Sequence, residues 1–222
     1  MNAAGPESDQ SAGPPRSVAF SGVVFSMLYM ASLVLIRSSV PADPAHRDWV
    51  RLALNLVPFA GIAFLWFMAV LRNRVGLLED RFFSAVFLAS GLLFVATLFV
   101  ATAVAQGLQT FGPDDFPGRT ETYRMAHGMG HATMTFSTKM AAVFMFVTST
   151  IGLRTGALSR WVAFVGYAFG LVLLLAITGF AWIALLFPCW VLLASTWILI
   201  AEFRLAPQRS TRGEVFARSS TP

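Results

Sequence analysis

The sequence predicts an all-α protein: a polytopic transmembrane bundle of six helices with both termini in the cytoplasm. Three observations carry that expectation. Hydrophobic residues make up 56% of the 222 residues and charged residues only 12%, against about 25% charged in a typical soluble domain. The uncharged windows are about as long as a bilayer is thick. The arginines gather between those windows, more of them on one side than on the other. A disordered chain or a disulfide framework is excluded by 21 Phe, 6 Trp and a single Cys.

A hydrocarbon core of about 30 Å takes about 20 helical residues at 1.5 Å each, so uncharged windows are the unit of counting. The first span is expected over 17–36 and the second over 52–71, which contains Asn55 and Pro58. The third covers 83–105, the apolar part of a charge-free stretch that runs on to Pro113. The fourth, 133–153, is interrupted by Lys139. From Trp161 to Ala201 there are 41 residues without a charge, too many for one helix. They divide into spans over 161–177 and 181–201, with the turn at Thr178-Gly179, because glycine readily ends a helix.

Val40-Pro41-Ala42 offers a signal-peptide cleavage site. The 20-residue apolar run before it is longer than a signal peptide uses, and Arg37 lies between run and site, so the first helix is expected to be retained. Residues 1–16 and 207–222 are rich in Ser, Pro, Gly and Arg and are expected to be disordered tails, with no separate soluble domain.

Orientation follows from the basic residues in the short loops. With the N-terminus inside, the cytoplasmic segments hold Arg16, Arg72, Arg74, Arg81, Arg154, Arg160, Arg204, Arg209, Arg212 and Arg218. The opposite side holds Arg37, Arg47, Arg51, Arg119 and Arg124, half as many. A net charge of +5 and a pI near 10.3 would suit a nucleic-acid binder only if the charge clustered on one soluble face, and it does not. The partners expected are therefore the bilayer and anionic lipid headgroups of a cytoplasmic membrane, with a second copy or another membrane protein as a further partner, and no nucleic acid.

None of the 11 acidic residues falls inside a predicted span, which argues against a transporter driven through a buried carboxylate. Lys139 is the one fully ionised side chain within a span. It stands 15 residues, or about 22 Å, from Arg154, leaving about 8 Å to the outer edge of the core. Two readings follow: the stem snorkels to the outer interface, or the ammonium points inward to Asn55 or an anionic ligand. Tyr123, His127, His131, Thr135 and Lys139 recur every fourth residue, a polar stripe descending one side of the fourth helix. It either lines a cleft or belongs to a helix that projects into water.

His127 and His131, at i and i+4, could share a metal ion, and His46 falls on the same expected side as the third ligand. The spacing is common by chance, and Gly128 and Gly130 weaken the helix between the two imidazoles. No other cofactor is expected. Gly166 and Gly170 form a small-xxx-small motif that lets another helix approach the fifth. Pro58 and Pro188 are expected to kink helices, Trp49, Trp161 and Trp182 to sit at headgroup level, and Cys189 to be a small core residue. No P-loop, dinucleotide fingerprint, nucleophile elbow or zinc-protease helix is present, so no enzyme activity is expected.

Met140-Ala-Ala-Val-Phe-Met, the run Thr148 to Trp161, and Phe187-Pro-Cys-Trp-Val-Leu-Leu give the last 70 or so residues their character. In them the chain resembles a group of bacterial multi-spanning membrane proteins without an established activity. The resemblance implies a membrane location and no mechanism. Three functional expectations follow: a small transporter, permeation or accessory protein working through the polar stripe; an outward-facing metal or redox protein using His46, His127 and His131; or an assembly partner docking through the fifth helix.

Overall fold

The computed structural model describes residues 16–38, 44–74, 81–110, 119–175 and 181–201. Six helices account for nearly all of them: α1 (Arg16–Ser38), α2 (Pro44–Arg74), α3 (Arg81–Thr110), α4 (Arg119–Thr155), α5 (Arg160–Leu175) and α6 (186–201), the last entered through a 3₁₀ turn, Ala181–Leu185. Five of these segments, with the turn counted into α6, are long and apolar enough to cross a membrane. The chain is thus an all-α multi-pass membrane protein.

The helices overrun the spans drawn from charge. α2 begins at Pro44 instead of 52, α3 continues to Thr110 past 105, and α4 starts at Arg119, fourteen residues before 133. Charge marks where hydrocarbon ends, whereas a helix satisfies its own backbone and can continue into water. Pro44 suits its place, since a first-turn proline gives up no helical hydrogen bond. α5 is described over 16 residues, about 24 Å of rise, and the end of its expected span lies outside the described residues. The tails, apart from Arg16 in α1, the segment around Val40-Pro41-Ala42 and the turn at Thr178-Gly179 lie outside the described residues.

Successive helices run antiparallel. Gln106 Nε2 of α3 donates to Asn55 Oδ1 of α2 at 3.3 Å, and Ser137 Oγ of α4 donates to Phe94 O of α3 at 3.1 Å. α4 ends at Gly156, whose φ of 70° only glycine adopts freely. Leu158 N–H then bonds back to Gly152 O at 3.2 Å, and Ser159 Oγ accepts from Val162 N–H at the start of α5. These few residues turn the chain back on itself.

α6 lies against the middle of the bundle. A ring from each of five helices meets there: Phe25 of α1, Phe64 of α2, Phe94 of α3, Phe144 of α4 and Phe187 of α6, all essentially inaccessible. Phe187 stands 4.8 Å from Phe94 and 5.6 Å from Phe64 between centroids, and Phe64 5.1 Å from Phe144. Edge-to-face contacts at these distances add about 0.5–1.5 kcal/mol per pair beyond burial. Trp190 Nε1 donates to Val162 O of α5 at 3.1 Å, tying α6 to α5.

Gly166 is where α5 is crossed most closely. A Cβ there would overlap Ser149 Oγ of α4 and lie 2.6 Å from Trp190 Nε1 of α6. At Gly170 a Cβ would meet Phe146 at 3.3 Å and Ala142 O at 3.4 Å. Cys189 departs from expectation. It is exposed on the bundle's flank, with Sγ 3.8 Å from Met30 Sδ, because α6 turns Phe187 and Trp190 inward and leaves residue 189 facing out. Trp49, Trp161 and Trp182 are exposed near helix ends.

Candidate functional site

α1, α2, α3 and α4 separate toward the end of the bundle that carries Arg37 and His127, leaving a cavity of about 310 Å³. Its wall is built from helical spacing. Tyr29, Ser32, Leu33, Ile36 and Arg37 follow one another at i, i+3, i+4, i+7 and i+8 along α1, so one stripe of that helix faces the space. α4 contributes His127, Gly130, His131 and Met134 on the same principle, α3 the stretch from Leu98 to Leu108, and α2 Leu54 and Val57. The five-ring cluster closes it off from the opposite end, since Tyr29 at the floor packs on Phe25 at 5.5 Å and Phe94 at 6.2 Å.

Polar groups are few and most are committed. Ser32 Oγ donates to Leu28 O and Thr102 Oγ1 to Leu98 O, each at 2.8 Å and each within its own helix. Tyr29 is only 3% exposed and its hydroxyl makes no hydrogen bond among the described residues. Arg37, His127 and His131 are exposed at the mouth.

The polar stripe of α4 is divided between two tasks. Its upper part reaches the cavity: His127 and His131 line it, their rings 4.7 Å apart, and Tyr123 stacks on His127 at 6.3 Å. Thr135 Oγ1 spends its proton on His131 O at 2.9 Å. Lys139, two turns beyond His131, has rotated away from the cavity toward α5. Its Nζ donates to Leu173 O at 3.1 Å and to Leu174 O. These are carbonyls of the last described turn of α5. Asn55 bonds Gln106 of α3, so the Lys139–Asn55 pair is not formed.

Lys139 supplies donors to two backbone carbonyls in the last described turn of α5 and so ties α4 to α5.

The metal centre does not assemble from what is described. His127 and His131 are neighbours, but no group of three His, Cys, Asp or Glu side chains stands close enough to hold an ion among the described residues. His46 belongs to α2, and its side chain lies outside those residues.

Reasoning from sequence missed Tyr29, Ser32 and Thr102. The available signal was Tyr29 itself, one of three tyrosines in the chain and the only one in the first four predicted spans, with Leu33 and Arg37 following at intervals of four.

No protein-family model, curated protein or solved structure matches the chain. Function must therefore be argued from the cavity and its wall.

Proposed function

We propose that the chain is a non-enzymatic multi-pass protein of a cytoplasmic membrane, with both termini inside, that receives a small solute in a cavity opening outward. Among small transporters, permeation proteins and accessory subunits, the first fits best. One observation carries this reading: the cavity is open at the Arg37 and His127 end and closed below by five phenylalanine rings. A continuous pore would not place one aromatic ring from each of five helices across its path. A binding protein that exposes its site to one side at a time would.

Orientation is tested with Ala105→Cys in a Cys189→Ser background. An impermeant maleimide should label it in intact cells, and labelling only after lysis would reverse the topology. Transport is tested in reconstituted vesicles with a panel of labelled small solutes and Ala101→Trp as the filled-cavity control. Uptake that wild type supports and the tryptophan variant loses is the expected result. Passage no faster than into protein-free vesicles would refute transport.

A further inference from the structure

The wall of the cavity is chemically uneven. Leu33, Val57, Leu98 and Met134 make most of it apolar, and the hydroxyl protons of Ser32 and Thr102 are spent on their own helices. Tyr29 is the exception. It is 3% exposed, its ring is fixed between Phe25 and Phe94, it lines the space, and its hydroxyl makes no hydrogen bond among the described residues. A phenol in an apolar setting ordinarily finds a hydrogen-bond partner. Here none of the described residues supplies one, although the ring is rigidly aimed.

Resting on the reading of this cavity as a binding site, we propose that its ligand is a compact, neutral, mainly apolar molecule that presents a carbonyl or similar acceptor to Tyr29 Oη. Three features define that class. The donor is the deep one, so the ligand end that enters first must accept. The charged and titratable groups of the wall, Arg37, His127 and His131, stand at the mouth, and Arg37 is eight residues, or about 12 Å, along α1 from Tyr29. An anionic head would stop there, because nothing at the floor could neutralise it. At about 20–30 Å³ per non-hydrogen atom, a volume near 310 Å³ admits about ten to fifteen such atoms. That is the size of a bicyclic ketone and too small for a phospholipid.

The test uses tetralone and tetralin, one bicyclic frame with and without a ketone, binding to the full-length protein in mild detergent by calorimetry. Wild type should hold tetralone about five- to tenfold more tightly than tetralin, the effect of one added hydrogen bond. Tyr29→Phe keeps the ring contacts and should bind tetralin unchanged while losing the preference. Ala101→Trp should bind neither. Equal affinity for the two probes in wild type, or a preference that survives in Tyr29→Phe, overturns the ligand class and leaves the cavity as a site for apolar molecules. Failure of wild type to bind either probe, or unaltered binding in Ala101→Trp, overturns the cavity as a binding site and the ligand class with it. The comparison of two probes on wild type needs no variant to fold.

Discussion

Replacing Lys139 with methionine keeps a flexible stem of similar length and removes every donor from its end. In the wild-type protein that end bonds Leu173 O and Leu174 O in the last described turn of α5. Hydrogen bonds to a charged group contribute about 1.5–3 kcal/mol each, about 4.5 kcal/mol for the two at mid-range. Against this stands the cost of holding an ammonium within the bundle, about 3 kcal/mol on insertion scales. The net loss expected in Lys139→Met is therefore about 1.5 kcal/mol. For a protein of this size each kcal/mol moves the melting temperature by about 2–4 °C, so the variant should melt about 3–6 °C below wild type. Tryptophan fluorescence of detergent-solubilised protein reads this directly, and hydrogen exchange should rise in the last described turn of α5. Lys139→Arg, which retains donors, should lose less than half as much. A melting temperature within about 2 °C of wild type together with unchanged exchange in α5 would refute a role for Lys139 in holding α5 to α4.

Three further outcomes follow from packing. Gly166→Ala places a methyl group where Ser149 Oγ and Trp190 Nε1 already stand, and should destabilise by about 1–3 kcal/mol in thermal unfolding; a neutral result would show that α4 and α6 yield freely. Gly128 and Gly130 should separate sharply. A Cβ at Gly128 meets nothing within 4 Å, so Gly128→Ala should gain up to about 1 kcal/mol of helix stability, whereas Gly130→Ala presses on Val104 at 3.3 Å and should gain nothing or lose. Ser195 Oγ is buried without a partner among the described residues, so Ser195→Ala should leave stability unchanged or raise it by about 1 kcal/mol; a loss above that would point to a bond the hydroxyl makes in the membrane.

The six-helix class was legible because charge exclusion from hydrocarbon acts on every residue of a span. The helix ends were not, because Arg47, Asp48 and Arg124 sit comfortably on helical turns beyond the hydrocarbon. The partner of Lys139 was hidden for a different reason. Backbone carbonyls exist at every position, and only the arrangement of α5 against α4 decides which of them the ammonium reaches. Cys189 was misjudged because α6 is apolar on all sides, and in lipid an apolar residue gains about as much facing outward as inward. Tyr29 went unnoticed since one phenol in an apolar span looks the same whether it packs or waits for a ligand.

The central aromatic cluster also bears on how the protein is made. Phe187 and Trp190 come from α6, the sixth helix to leave the ribosome, yet both are fully buried among rings supplied by earlier helices. Until α6 arrives, Phe25, Phe64, Phe94 and Phe144 surround an unfilled centre, and α5 lacks the indole that bonds Val162 O. Earlier helices can insert one by one, but they can settle only loosely. Closure of this centre therefore waits for α6 to be translated, and a nascent chain stalled before it would leave the four earlier rings uncovered.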